Sequence, residues 1–371
     1  MQYDAAITAA ALSSTLASNT ALSSSTVNAI STILNLSDTT ATLPVATSNG
    51  NNLSVNFDAN GQIVTPKVTF FSDLGAAGTD VTVNIPAFVA NSAAIIFDTS
   101  ANVTAVIGNS TGISPAAAVQ GDTAGRVIAS GSGNDTIIVT DSVNTHIDAG
   151  AGNDNITTAG GNDTIVLNGG TNTVSTGAGN DVIYAGNGVE TIDGGTGFDV
   201  VNVGNLANYT VSVSGNNVVL NSSTNGQATL TGVEFVASVN GTGTLAIVGS
   251  QNEGVALRMY DALLGRDADA AGTQYYTGAV QSGASLTDIA NGFLGSAEYT
   301  AVNGAQGDAA FINTVYQGAL GRAATTDLEG LVYWAQQLAT GHTRAEVVIG
   351  IVGSTESQAH DTGVIVVTGQ V

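Results

Sequence analysis

The sequence predicts a mainly β fold with α: a parallel β-roll, or β-solenoid, flanked by an N-terminal helical plus β region and by a C-terminal all-α domain. Three observations carry this expectation. Between residues 131 and 204 an apolar residue returns almost every ninth position behind glycine-rich turns. Aromatic residues make up only 5% of the chain, so the core must be thin and filled by small β-branched side chains. From Glu253 onward the pattern turns helical and then repeats itself. With 371 residues, the chain also exceeds the roughly 100 to 200 typical of one domain.

Charge narrows the partners. The chain carries 29 Asp and Glu against 6 Lys and Arg, a net charge of −23. Such a surface repels nucleic acid and anionic lipid, so the expected partner is a cation. With no cysteine, disulfides and zinc–thiolate sites are excluded, and a bound metal must be hard and oxygen-ligated. No apolar run reaches the roughly 18 residues of a transmembrane helix, so membrane insertion is not expected. The segment "MQYDAAITAAALSSTLASNTALSS" has no Lys or Arg, and the first basic residue is Lys67. It therefore lacks the positive start of a cleaved signal peptide, and export by another route is expected.

Taken in order, residues 1–45 read as Ala/Ser/Thr-rich helix, with Ile7, Leu12 and Leu16, then Val27, Ile30, Ile33 and Leu34, at near-helical spacing. The expected role is a helical pair covering its own domain, since a membrane-surface helix would want Lys or Arg on its polar face. Residues 46–130 shift to a period of two, in "LSVNF" and "VTVNI", and predict a β-rich region leading into the solenoid, with no strand order fixed. Within it, "GNSTG" at 108–112 has the spacing of a nucleophile elbow. Pro115 stands where the following helix should begin, so no catalytic role is assigned to Ser110.

Residues 131–204 hold the repeat. The apolar positions are Ile137, Ile147, Ile156, Ile165, Val174, Ile183, Ile192 and Val201, and after one step of ten residues every step is nine. They follow turns such as "GSGNDTI", "GAGNDNI" and "GAGNDVI"; the second turn, "SVNTHI", is one residue longer and has no glycine. A glycine-rich turn plus a three-residue strand makes half a coil of a parallel solenoid, because glycine permits the positive φ and close backbone approach of the turn. The residue two past each acid then points inward, and pairing of successive coils satisfies the backbone amides.

Stacking puts carboxylates in register, and a row of like charges needs a cation between its members. Calcium suits this, since it takes about six to eight oxygens at about 2.3 to 2.6 Å without strict geometry. The expected ligands are Asp135, Asp154, Asp163, Asp181 and Asp199, together with the turns shaped by Gly131, Gly133, Gly150, Gly152, Gly161, Gly177, Gly179, Gly195 and Gly197. Because alternate turns lie on opposite sides of a coil, Asp163, Asp181 and Asp199 should form one column. Asp135, Asp154, Asn172 and Glu190 should form the other, with weaker binding at the last two.

Residues 205–250 read as further strands closing the open end of the repeat. Residues 251–371 predict a duplicated helical domain. "MYDALLGR" at 259–266 answers "VYQGALGR" at 315–322, and Gly272, Tyr275, Tyr276, Gly295, Ser296 and Glu298 find counterparts 58 residues on. Ser285 to Asp288 has capping-box spacing and Ser296 is a candidate N-cap. Asp267 and Asp269 lack the later Glu of an EF-hand loop, so helix capping is expected of them.

The iterated turns resemble the RTX nonapeptide, G-G-x-G-x-D-x-U-x, of type I secreted bacterial proteins. The resemblance implies a calcium-binding β-roll that folds outside the cell, with a secretion signal in the C-terminal segment ending "HDTGVIVVTGQV". Through "LLGRDADAAGTQYY" and "FLGSAEY" the C-terminal pair is similar to a phycobilisome-linker-like domain of unknown function, found in RTX-bearing and surface-layer proteins.

No H-E-x-x-H occurs, and the histidines are His146, His342 and His360, so a protease is not expected; His146 reads as a loop residue of the irregular turn. Composition and the flanking modules resemble surface-layer proteins. The expected function is therefore a secreted, calcium-dependent, self-assembling structural protein and not an enzyme, with itself and calcium as partners. The alternative is an adhesin binding cell-surface polysaccharide.

Overall fold

The computed structural model describes residues 6–19, 22–50, 52–108, 125–241 and 243–369. The chain forms two compact units, the first running to Gly204 with Asn208–Ser214 and Val218–Val233, the second formed chiefly by Glu234–Val371.

The first unit is a solenoid of two parallel sheets. One sheet runs Asp80–Val83, Asn102–Ile107, Thr136–Val139, Asn155–Thr157, Thr171–Ser175 and Val189–Asp193. The other runs Val45–Ser48, Val68–Ser72, Ala94–Asp98, Arg126–Ala129, Thr145–Asp148, Thr164–Val166, Val182–Tyr184 and Val200–Val203. From Val68–Ser72 on, consecutive strands thus fall on alternate sheets, which is why nine residues make half a coil in the repeat. The registers stack Ile137, Ile156, Val174 and Ile192 in one row and Ile147, Ile165, Ile183 and Val201 in the facing sheet. All eight are buried.

The parallel stacking extends well before residue 131. Ile95 lies beside Ile128, and Ile128 beside Ile147, so strands without a glycine repeat continue the same sheet as the repeat itself. The strands here have two buried faces. Ala94, Ile96, Val127 and Ala129 pack with Leu12, Leu16 and Ile30 from the helices Ala9–Ser18 and Ser24–Ile33. Thr8 and Ser23 cap those helices by accepting from Ala11 and Thr26 backbone N–H groups.

At the other end Gly226–Thr231 continues the first sheet in parallel beside Val189–Asp193. It then pairs antiparallel with Asn217–Ser222, and Thr210–Ser214 lies outermost. A reversal of strand direction ends the stack of coils at this edge.

The second unit carries the C-terminal helices together with three strands, of which only Val364–Val366 lies within 251–371. Phe235–Ser238 and Thr244–Val248 form an antiparallel pair, and Val364–Val366 joins the latter in parallel. The duplication is visible as helices Gln251–Leu264, Ala270–Gln281, Leu286–Leu294 and Ala297–Asn303, answered by Asp308–Leu320, Leu328–Ala339, Arg344–Val352 and Thr355–His360. Each copy makes the same ion pair, Arg266 to Glu298 at 2.7 Å and Arg322 to Glu356 at 2.6 Å. Each guanidinium also lies over a tyrosine ring, of Tyr260 and Tyr316 respectively. Ser296 caps its helix as expected. Ser285 caps as well, but Asp288 returns to its hydroxyl rather than to its backbone. Among the described residues, no helix is long and apolar enough to cross a membrane.

Candidate calcium site

The turns are built by close stacking of backbone on backbone. Gly179 has φ +138°, and a Cβ there would run into the carbonyl oxygen of Gly161, one coil earlier. A side chain is excluded both by conformation and by space. The contact brings a carbonyl of each coil against the turn of the next.

Register then orders the acids. Thr145 and Asp163 lie side by side across one coil, followed by Asp181 and Asp199. On the opposite side run Asp135, Asp154, Asn172 and Glu190. Within each column one carboxylate oxygen is used to join coils. Asp181 Oδ1 accepts from Asp163 N–H at 2.6 Å, Asp199 Oδ1 from Asp181 N–H at 2.8 Å, and Asp154 Oδ1 from Asp135 N–H at 2.8 Å. Asn172 Oδ1 does the same for Asp154 N–H at 2.8 Å, so the amide replaces the acid as an acceptor but not as a charge.

The second oxygen is left over. Oδ2 of Asp135, Asp154, Asp163 and Asp181, and both oxygens of Glu190, are buried without a hydrogen-bond partner. Burial pushes the carboxyls of Asp154, Asp163 and Glu190 up to about 7 and that of Asp135 to about 6. Asp181 is raised by the same cause. Repulsion from Asp135 and Glu190 adds to the rise at Asp154, and repulsion from Asp181 adds to it at Asp163. Orphaned buried oxygens of one sign are costly unless a cation compensates them.

The donor set fits a hard divalent cation. Among the described residues no three His, Cys, Asp or Glu side chains converge on one metal position, so each ion would take carboxylates from two coils and complete its shell with turn carbonyls. Asp163, Asp181 and Asp199 would hold ions in one column and Asp135 and Asp154 in the other. A bound Ca2+ supplies the positive charge that lets these carboxylates remain ionised in a dry turn. The chain supplies the spacing, the fixed orientation of each Oδ1, and the exclusion of water.

A second ladder went unread in the sequence. An asparagine one residue before Thr145, Asp163 and Asp181 faces outward, and its Oδ1 accepts from the following coil: Asn144 from Asn162 N–H at 2.8 Å, Asn162 from Asn180 N–H at 2.9 Å, Asn180 from Phe198 N–H at 2.9 Å. Asp bonds run backward along the stack and Asn bonds forward, so each coil is tied in both directions. The recurrence of "GND" was the signal for it.

The irregular second turn also differs from expectation. His146 is not a loop residue; it lies in the strand Thr145–Asp148, is buried, and meets Thr26 Oγ1 at 3.1 Å through Nε2. Its neighbour Asp148 accepts from Thr26 Oγ1 at 2.7 Å and from Ser23 N–H at 3.1 Å. These two side chains dock the second N-terminal helix on the sheet. Ser110 of the candidate elbow lies outside the described residues. Asp269 caps Ala270–Gln281, accepting from Gly272 N–H at 2.7 Å.

Fold and site together define a calcium-binding parallel β-solenoid made of nonapeptide half-coils. Residues 130–165, 139–174 and 166–201 match the model of the RTX calcium-binding nonapeptide repeat, and such repeats bind Ca2+. Residues 248–303 and 290–360 match a domain of unknown function (DUF4214), in two overlapping spans along the duplicated helices. No curated protein and no solved structure matches the chain.

Proposed function

We propose that this chain is a secreted, self-assembling structural protein of the bacterial cell surface, of the surface-layer type, in which calcium drives first folding and then assembly. The observation that carries the calcium dependence is the set of orphaned, buried carboxylate oxygens in stacked turns. Proteins with RTX repeats are typically secreted. The calcium affinity of extracellular modules, about 10⁻⁴ to 10⁻³ M, would keep the acid columns uncompensated inside the cell and filled outside it.

Assembly is supported by an unpartnered helix face. Helix Leu328–Ala339 has no buried residue, and it exposes Leu328 at 66%, Val332 at 54% and Tyr333 at 52%. Apolar side chains grouped on one solvent-facing helix suit contact with another subunit. The composition, poor in Met and aromatics and free of Cys, agrees with a structural rather than a catalytic role. Light scattering and electron microscopy in millimolar calcium test the reading: ordered multimers are expected, dissolving on chelation.

The second reading is an adhesin for cell-surface polysaccharide. Tyr275 and Tyr333 occupy equivalent places in the two helical copies, and both rings are exposed, as suits a pair of flat binding platforms. A protein that stays monomeric in calcium yet binds a glycan array would favour it.

A further inference from the structure

The cation column does not end in an unfilled turn; it ends in an arginine. In the sheet that carries Asp163, Asp181 and Asp199, Arg126 lies beside Thr145, and Thr145 donates its backbone N–H to Asp163 Oδ1 at 2.7 Å. Arg126 therefore occupies the same column two coils before Asp163. Its side chain is fully buried, and its guanidinium grips Asp141 with both terminal nitrogens, Nη2 to Oδ1 at 2.7 Å and Nη1 to Oδ2 at 3.2 Å. Nη1 also donates to the Ala90 carbonyl at 3.2 Å, and Nη2 to Thr145 Oγ1 at 3.3 Å. Asp141 opens the irregular turn, at the place that Gly177 and Gly195 take in later coils of this column.

A carboxylate, a backbone carbonyl and a hydroxyl around one positive charge are the kinds of oxygen that a calcium ion would gather. Here the charge is covalently attached. Arginine stays protonated at any ordinary pH and cannot be removed by a chelator. Its charge also favours the ionised form of Asp163. Upstream the need for ions vanishes: among the described residues of this unit, no buried acid precedes Asp135. The earlier coils are held instead by the apolar cluster of Leu12, Leu16, Ile30, Val68, Ile96 and Val127.

We infer that Arg126 is a built-in cation that closes the calcium column of Asp163, Asp181 and Asp199, dividing the solenoid into a base through residue 147, whose one candidate ligand Asp135 stays tied through Oδ1 to Val103 N–H at 2.7 Å, and a calcium-dependent extension from about 155 to 203. The base stays folded when calcium is withdrawn and presents a formed coil edge on which the extension stacks when calcium returns. Folding of the repeat then proceeds from the Arg126 coil toward the C-terminus. This rests on calcium binding by the acid columns.

Hydrogen–deuterium exchange of the full chain, in chelator and in millimolar calcium, tests it. In chelator the wild type should keep protection at 45–107 and 126–147 and lose it at 155–203. Loss of both regions together at one calcium concentration would overturn the inference, while protection of 155–203 that ignores calcium would overturn the calcium reading beneath it. Arg126→Gln removes both guanidinium bonds to Asp141, so 126–147 should exchange about ten to a hundred times faster in chelator, the range expected for charge-assisted hydrogen bonds, and recover in calcium. Loss in both conditions would show Arg126 to be a packing residue only, and no loss in either would show it to be dispensable; both outcomes overturn its assigned role. Removing both charges, in Arg126→Gln with Asp141→Asn, should restore part of the protection in chelator.

Discussion

Asp181 and Asp163 stand one coil apart, joined by a hydrogen bond of 2.6 Å from Asp163 N–H to Asp181 Oδ1, while Asp181 Oδ2 is buried with no partner. One carboxylate thus has two jobs. Oδ1 sets the register of the stack, and Oδ2 leaves a charge that only a cation can compensate.

Separating those jobs gives the first prediction. Asp181→Asn keeps an acceptor for Asp163 N–H but removes the buried charge. In chelator the variant should be more stable than wild type, because an unpaired amide is cheaper to bury than an unpaired carboxylate. In calcium it should need a higher ion concentration to fold. Asp181→Ala loses both functions and should be weaker in both conditions. Calcium titration followed by circular dichroism, with urea denaturation at each end point, checks the set.

Glu190 should respond less in the same titration. In the register it lies between Asn172 and Ala228, so it shares no ion with a carboxylate one coil away, whereas Asp181 has Asp163 and Asp199. Glu190→Ala is expected to shift the calcium midpoint by a smaller factor than Asp181→Ala; equal shifts would contradict the assignment of columns.

The pH dependence should invert with calcium. Without the ion, burial holds Asp154, Asp163 and Glu190 at about 7, above their values in an unfolded chain, near 4. Between those limits the folded repeat binds more protons than the unfolded one, so its stability falls as pH rises from about 4 to 7. Acidifying a chelated sample from pH 8 to pH 5 should therefore restore β-structure. With calcium bound, the same acidification competes with the ion for carboxylates and should destabilise.

The glycines can be sorted by one comparison. At Gly179 a Cβ would meet the Gly161 carbonyl and φ is +138°, whereas at Gly169 nothing lies within 4 Å. Gly179→Ala should prevent the late coils from forming even in saturating calcium, and Gly169→Ala should leave the calcium midpoint within about 0.5 kcal/mol of wild type, as for ordinary surface changes. Circular dichroism in calcium distinguishes them.

The outward ladder should matter for stability but not for ions. Asn180→Ala removes the acceptor of Phe198 N–H, with an expected loss of about 0.5–1.5 kcal/mol. The number of calcium ions bound, measured by calorimetry, should be unchanged.

Much of the repeat was legible because its information is local. A glycine pair, an acid and an inward Ile or Val recur at nine residues, and a period of half a coil fixes which acids share a side. Hence the sequence alone determined the eight inward positions, the two columns, the preference for an oxygen-bound cation, and the duplication of the helical copies. The Asn ladder was legible too, but its neighbours Asp and Gly carried the more familiar chemistry.

What only the tertiary structure decided is long-range. The glycines between Val45 and Ile107, Gly50, Gly61, Gly75 and Gly78, follow no nine-residue period, so nothing local announces that Ile95 stacks beside Ile128 and Ile128 beside Ile147. Parallel pairing joins strands separated by a whole coil, and its register is set by backbone hydrogen bonds that no short motif encodes. The same reason hid His146 and Asp148 as the seat of the second helix, 120 and 122 residues from Thr26 in sequence. It also hid Arg126, whose meaning depends on Ala90 and the turn of Asp141 and Thr145 arriving around it from two different coil segments.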